Sequence, residues 1–169
     1  MNPRLKTRGT IFNEAWEETW GFVPMTEAEL EFMAGRLVPM LTEGLVWLAT
    51  WSGEPVGHLI TVLDFNQAIK PLQGRWLSPG LPRFLPYLFG WRRPTSARVI
   101  QLGVRRKFRR RGIEALLLYE GLRVARRLGI VHAEASWILD DNVPIIRTIA
   151  DQGGKVSKVY RLYERRLGG

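Results

Sequence analysis

Six of the seven residues 105–111 are basic, and Gly112 follows them directly. So many adjacent cations favour an anionic partner, such as nucleic acid, a phosphorylated cofactor or an acidic membrane surface. The cluster stands between an apolar run over residues 97–104 and a helical pattern that begins at Ile113. A strand that passes through a basic, glycine-containing turn into a helix offers free backbone amides and a positive helix end to an anion. A pyrophosphate group suits this chemistry, and Gly112 would let it approach the backbone closely.

The distribution of charge indicates a local site. The chain has 169 residues and a formal net charge of +9. Residues 1–97 contain equal numbers of acidic and basic residues, so the whole excess lies in residues 98–169. The sequence contains no cysteine and two histidines, which excludes disulfides and thiol chemistry and disfavours a metal centre.

No apolar run reaches the roughly 20 residues that span a bilayer, and no apolar signal core follows the start of the sequence. From these two absences we expect a cytoplasmic protein without a transmembrane segment. The length is that of one ordinary domain, and we expect a single domain over residues 1–169. The sequence does not indicate an oligomeric state.

Periodicity predicts a mixed α/β (α+β) order of elements. The first half contains two amphipathic helices and a hairpin of two buried strands, over residues 10–20, about 26–41, 45–51 and 56–65. Thr26 and Glu27 supply a cap and a first-turn acid for the second helix. Residues 67–96 contain five prolines and predict a long inserted excursion with a short helix near residues 82–91.

The second half predicts strands and helices in alternation. These are a buried strand, a helix ending at a glycine, a strand with one polar face, a capped helix and a last strand, over residues 97–104, 113–129, 130–138, 143–152 and 156–165. The capped helix starts after Asn142, has Pro144 in its first turn and stops at Gly153. The predicted order places the arginine–glycine turn between the third strand and the helix after it.

The segment 104–117 resembles the acetyl-CoA-binding motif of the GNAT superfamily of N-acetyltransferases. That motif has Arg or Gln, two variable residues, Gly, one variable residue and then Gly or Ala. Arg109 and Gly112 match it, and Glu114 occupies the last position. The order of elements is similar to that of a GNAT domain from its first helix onward, although the usual first strand has no clear counterpart in residues 1–9.

The resemblance covers nearly the whole chain and implies a mostly antiparallel central sheet flanked by helices. The segments 2–5, 11–16 and 21–26 are similar to those in the C-terminal domain of a branch of longer bacterial GNAT-like proteins. The resemblance also implies that acetyl-CoA donates an acetyl group to an amine of a small molecule or peptide, without a metal. The residues that it assigns to the co-substrate are Leu102, Gly103, Val104, Arg109, Arg110, Arg111, Gly112, Ile113 and Asn142.

Transfer of an acyl group to an amine requires a base, because an alkylamine with a pKa near that of lysine, about 10.4, is protonated at neutral pH. The candidate is Glu134, on the polar strand face that it shares with His132 and Ser136. GNAT proteins often supply a tyrosine as general acid at a position that falls on Ile149 here. Tyr160 on the predicted last strand is therefore the candidate acid.

Three other interpretations stay open to different degrees. A hydrolase site at His132, Glu134 and Ser136 is disfavoured, because alternate strand residues stand about 6.6 Å apart and no Gly-x-Ser-x-Gly elbow occurs in the sequence. A nucleic-acid-binding domain is disfavoured because the cations lie at one turn with Phe108 as their one aromatic neighbour. A non-catalytic GNAT-like module, in which residues 81–91 form an apolar surface for assembly or membrane contact, remains possible.

Overall fold

The computed structural model describes residues 23–165, so the helix predicted over residues 10–20 lies outside the described range. Four strands occur in this range, β1 (Leu41–Trp51), β2 (Glu54–Leu63), β3 (Ser96–Val104) and β4 (His132–Ala135). The helices are α1 (Glu27–Leu37), α2 (Asn66–Ile69), α3 (Leu81–Leu88), α4 (Ile113–Arg127) and α5 (Val143–Asp151). The predicted mixed α/β order is confirmed for these elements.

A capping box starts α1. The Thr26 hydroxyl accepts a hydrogen bond from the Glu29 amide at 3.3 Å, and the Glu29 carboxylate accepts one from the Thr26 amide at 2.8 Å. Both bonds satisfy amides that a helix start leaves without acceptors. The helix ends at Leu37, before Pro39, and β1 begins at Leu41, four residues earlier than the strand pattern predicted.

The sheet has the order β1-β2-β3-β4, with antiparallel pairs among the first three strands and a parallel pair between β3 and β4. The parallel pairing covers only Ser96 to Val99 of β3. At that point Thr61 pairs with Val99 and Ile60 pairs with Gln101, which leaves Ile100 as an extra residue. Such a bulge bends a strand, and the remaining residues of β3 have no partner on the β4 side within residues 23–165.

One face of the sheet packs against α4 through a core that includes Leu59, Val104, Phe108, Ile113 and Leu117. Ile145 and Ile149 of α5 are partly buried against the same cluster. The crossover helix α4 connects β3 to β4 and covers the strand that leads into the arginine cluster. The core therefore holds the end of β3 and the start of α4 in a fixed relation.

The excursion between β2 and β3 is folded rather than extended, and it contains the predicted short helix as α3. Gln67 joins its two ends, since its amide nitrogen donates to the Ser96 hydroxyl at 2.7 Å and its amide oxygen accepts from the Thr95 backbone at 2.8 Å. Ala68 and Leu72 are buried under it. The excursion is thus fixed to the start of β3.

The prediction of a last strand over residues 156–165 was wrong. These residues form no ladder, and Val156, Val159 and Leu162 are more than 70% exposed. Their composition favours a strand, but a strand also requires a backbone edge to pair with. β4 offers only four residues, because residues 136–138 leave the ladder that was predicted to reach Ile138.

No helix in the described residues has both the length and the apolar content to cross a membrane.

Gly57 tests how tightly β2 fits against the end of β3. A Cβ at this buried glycine would lie 2.9 Å from Val104 Cγ2 and 3.0 Å from the Gly103 carbonyl oxygen. We expect Gly57→Ala to lower the free energy of unfolding by about 1–3 kcal/mol, measured by urea denaturation. The control is Gly35→Ala in α1, where a Cβ would meet nothing within 4 Å. This substitution should raise the free energy of unfolding by up to about 1 kcal/mol, because alanine favours a helix more than glycine does. Equal effects of the two changes would contradict this account of the packing.

Candidate functional site

The turn after β3 is held by backbone and side-chain contacts. The Arg105 amide donates to the Val56 carbonyl of β2 at 2.8 Å, and a 3-10 turn, Arg106–Phe108, follows. The Phe108 ring is buried in the core and anchors the turn. The Arg109 side chain extends back to the end of β3, where its Nε donates to the Val104 carbonyl at 3.3 Å. The predicted order of strand, basic turn and helix is confirmed.

The helix start presents free amides. Arg110 and Gly112 have left-handed backbone conformations, with φ of 62° and 75°, and Gly112 caps α4. The first hydrogen bond into the helix runs from the Leu116 amide to the Gly112 carbonyl at 3.0 Å. The amides of Ile113, Glu114 and Ala115 therefore have no acceptor in the helix. They form the positive end of the helix dipole.

The open edge of β3 leads directly to these amides. Successive residues of a strand direct their backbone groups to opposite sides. Because the Arg105 amide points to β2, the amides of Val104 and Leu102 point to the edge that β4 leaves open. The Val104 carbonyl points the same way, and Arg109 reaches it there. Strand donors and helix-start donors thus lie at the same end of β3, where Val104 and Ile113 are themselves buried.

The basic residues of the cluster have different environments. Glu54 forms ion pairs with Arg105 and with Lys107, the latter at 2.9 Å. The hydrogen bond from Lys107, with the charges of both cations, holds the pKa of Glu54 below its ordinary value. The Arg111 guanidinium lies over the Trp51 ring at 5.4 Å and over the Phe108 ring at 5.6 Å. Arg111 is thereby held near the end of the β1–β2 hairpin while it stays exposed.

The structure places Glu134 next to Arg98 and not next to the turn. The two residues are opposite each other in the β3–β4 register, and their side chains form an ion pair at 3.0 Å. The hydrogen bond from Arg98, and a second from Ser136, lower the pKa of Glu134. Arg98 precedes Gly103 by five residues, about 17 Å along the strand. The structure does not test the catalytic role of Glu134, which remains a prediction.

Asn142 and Tyr160 make their contacts outside the arginine cluster. Asn142 lies exposed at the start of α5, where its amide donates to the Leu139 carbonyl at 3.1 Å and its side chain caps no amide. Tyr160 is 69% exposed and belongs to no strand. Within residues 23–165, neither residue forms a hydrogen bond, ion pair or ring contact with residues 104–113, and their roles stay predictions.

Three residues near the site did not emerge from the sequence motifs. Trp51 and Glu54 flank the tight turn of the β1–β2 hairpin, and antiparallel pairing of β2 with β3 brings this turn beside the arginine cluster. His58, which is 2% exposed, is opposite Gly103 in the same register. The sequence predicted the hairpin that contains these three residues. Their place beside the arginine cluster could be recognised only once the register between β2 and β3 was known.

Glu54 makes stability depend on pH through its two cations. A carboxyl whose pKa is lower in the folded chain stabilises the fold above the unfolded pKa, and this stabilisation is lost as the pH falls through the folded pKa. We therefore expect wild type to lose more stability than Glu54→Gln as the pH falls from 7 to below the ordinary carboxyl value of 4.5. Urea denaturation at each pH measures this, with Glu31→Gln in α1 as an exposed control. Parallel pH profiles for wild type and Glu54→Gln would contradict the prediction.

Comparisons with solved structures show the fold. The aminoglycoside 6'-N-acetyltransferase AAC(6')-IG from Acinetobacter haemolyticus matches with a TM-score of 0.60 at 15% identity, over 99% of this chain and 96% of that one. The ribosomal-protein-alanine N-acetyltransferase from Brucella melitensis matches with a TM-score of 0.58 at 21% identity, over 88% and 77%.

Sequence comparison finds two longer relatives. The chain is 33% identical over 171 residues to a bacterial ceramide synthase from Caulobacter vibrioides (strain NA1000 / CB15N), covering 96% of this chain and 43% of the relative. It is 36% identical over 166 residues to Protein YghO from Escherichia coli (strain K12), covering 93% and 41%. The chain thus spans less than half the length of these relatives. Residues 9–153 match the model of the acetyltransferase (GNAT) family, and the chain belongs to that family.

Proposed function

We propose that this chain is an acyl-CoA-dependent N-acyltransferase, with acetyl-CoA as the simplest donor and an amine as acceptor. The observation that supports this most directly is the open edge of β3 that runs into the free amides at the start of α4. An extended amide-containing arm that ends in a pyrophosphate is the ligand whose chemistry matches both parts. The family match provides the same co-substrate independently.

The residues at the turn fit a pyrophosphate. A Cβ on Gly112 would meet nothing within 4 Å, so the space at the helix start is open. Arg110 and Arg111, which precede Gly112, are both exposed. The amides from Arg110 to Ile113 would hold the phosphates, as anions are held at helix starts elsewhere, whereas the Arg109 amide already donates to the Arg106 carbonyl. Leu102, Gly103 and Val104 would carry the pantetheine arm on the strand edge.

The amide of Val104 is the proposed oxyanion donor. It points to the open edge, and its own carbonyl is already occupied by Arg109. A fixed backbone donor can stabilise the negative charge that develops on a thioester oxygen during attack by an amine. A bound acyl-CoA would supply that thioester.

For proton transfer we retain Glu134 as base and Tyr160 as acid. Glu134 is opposite Arg98, about 20 Å along β3 from the Val104 amide, so its proposed task is to deprotonate the amine before the amine reaches the thioester. Glu134 lies at the last paired residues of β4, beside the point where the two strands separate. Its carboxylate is ionised at neutral pH, and the hydrogen bonds from Arg98 and Ser136 that lower its pKa make it a weaker base than a free carboxylate. A thiolate with a pKa of about 8.5 needs little help to leave, so loss of Tyr160 should matter less than loss of Glu134.

Ligand binding can be tested by thermal unfolding with acetyl-CoA, CoA and ADP. A ligand at 100 times its dissociation constant should stabilise the fold by about 2.7 kcal/mol. Arg110→Ala with Arg111→Ala should reduce the affinity for all three ligands, because both charges adjoin the amides that hold the phosphates. The matched control removes Arg126 and Arg127, an exposed pair at the other end of α4, and should bind as wild type does. No shift with any ligand would refute the proposal, and retardation of DNA or RNA instead would favour the nucleic-acid alternative.

The role of Glu134 can be tested by steady-state kinetics once an acceptor is found. We expect Glu134→Gln to lower kcat by roughly 10²–10⁴ without a change in the affinity for acetyl-CoA. Arg98→Gln should move the acidic limb of the rate profile to higher pH, because Arg98 lowers the pKa of Glu134. Tyr160→Phe, measured in parallel, should lower kcat less. An unchanged kcat in Glu134→Gln would exclude this residue as the base.

The acceptor is the least constrained part of the proposal. The Caulobacter relative is named a bacterial ceramide synthase, and a ceramide is an N-acylated long-chain amino alcohol. A long-chain amino alcohol is therefore the first acceptor to test, with short amines, an aminoglycoside and a peptide amino terminus beside it. Binding of acyl-CoA without acylation of any of these amines would favour a non-catalytic module.

A further inference from the structure

The excursion between β2 and β3 exposes an unusual set of large apolar side chains. Five of them are between 59% and 93% exposed: Trp76, Leu77, Leu88, Phe89 and Trp91. We call these five the aromatic surface. Single exposed apolar residues are normal on a soluble protein, but a group of this kind in one short segment marks an interaction site.

Ring contacts join two members of the aromatic surface to each other and a third member to α3. Trp76 meets Phe84 of α3 edge to face at 6.3 Å, and Phe89 lies 5.3 Å from Trp91 between ring centroids. Phe84 and Leu88 are four residues apart on α3 and hence share one face of the helix. The side chains before, on and after α3 thus lie close to one another.

Basic residues accompany the aromatic surface, and acidic residues do not. No Asp or Glu occurs between Asp64 and Glu114. Arg83, Arg92 and Arg93 are exposed beside the apolar side chains, and the Arg92 guanidinium lies over the Tyr87 ring at 5.2 Å. Tyr87, Arg92 and Arg93 also line a cleft whose floor includes Leu41 and Leu63.

The aromatic surface rests on a fixed support. A Cβ on Gly80, the residue that precedes α3, would lie 1.9 Å from the Pro71 carbonyl oxygen, so the helix start is pressed against the preceding turn. Gln67 fastens the two ends of the excursion together. The exposed rings are therefore presented by a packed platform that does not have to fold on contact.

We propose that the aromatic surface docks on an anionic lipid bilayer. Trp, Phe and Leu side chains enter the boundary between headgroups and acyl chains, and arginines beside them bind the lipid phosphates. A second copy of the chain would place arginines against arginines, which like charges oppose. Nucleic acid would use the arginines but leave the exposed leucines without a partner. The inference does not depend on the proposed acyl transfer.

The test is co-sedimentation of the full chain with vesicles of phosphatidylcholine alone or mixed with phosphatidylglycerol. We expect binding to the mixed vesicles, weaker binding at high salt and little binding to phosphatidylcholine alone. The double variant Leu77→Ser and Trp91→Ser should lose most of this binding. Both side chains are more than three-quarters exposed, so the fold should survive their replacement, and circular dichroism verifies this.

Two matched controls distinguish binding through the aromatic surface from nonspecific hydrophobic binding and from nonspecific electrostatic binding. Trp137→Ser removes a tryptophan that is 70% exposed elsewhere on the chain and should bind vesicles as wild type does. Arg92→Gln with Arg93→Gln should weaken binding by roughly tenfold or more, at about 1 kcal/mol per arginine near an anionic surface. Arg126→Gln with Arg127→Gln removes the same charge at the end of α4 and should have a smaller effect.

Several results would overturn the proposal. One is the absence of binding to mixed vesicles, and another is equal loss of binding in Trp137→Ser and in the Leu77 and Trp91 variant. A third is that wild type sediments as an oligomer without vesicles and that the Leu77 and Trp91 variant is monomeric, because the partner would then be a second copy. Folded variants with unchanged vesicle binding would likewise exclude the aromatic surface.

Discussion

The separation of β3 from β4 after Val99 is the constraint on which the rest of the candidate site depends. Had the parallel ladder continued to Val104, the amides of Leu102 and Val104 would be occupied by β4. The bulge at Ile100 directly follows the last residue that pairs with β4, and a bulge bends the strand that contains it. The strand remains fixed after this point because β2 pairs with it on the other side and α4 covers its face. An open edge is thus combined with a rigid strand.

The basic residues of the arginine cluster have different electrostatic partners. Glu54 draws Arg105 and Lys107 toward the β1–β2 hairpin, where ion pairs use their charge. Arg111 is held over Trp51 and Phe108. The helix end adds partial positive charge from its free amides. The net charge of the chain therefore overstates what a ligand at the turn would meet, and the position of each cation matters more than their number.

Much of the fold could be predicted from local patterns. The helix α1 follows from its capping box, α4 and α5 follow from helical spacing and the glycines at their ends, and the hairpin and β3 follow from short apolar runs. The predicted side-chain cap of α5 was wrong, because Asn142 caps no amide. The last strand could not be predicted, because its existence depends on a free edge and not on its own residues. Glu54 and Trp51 could not be assigned to the site either, since their place beside the cluster depends on the register of β2 against β3. The sequence allowed residues 81–91 to form an apolar surface, but it could not decide which side chains of the excursion are exposed.

By itself the sequence determined that a basic, glycine-containing turn lies between a strand and a helix. The reason is local, because basic residues, a glycine and the start of a helical pattern are adjacent along the chain. Only the tertiary structure decided that this turn continues into an open strand edge, that Glu134 pairs with Arg98, and that residues 76–91 form a supported surface. Each of these depends on contacts between residues far apart in sequence, and local preferences carry no information on such register and burial.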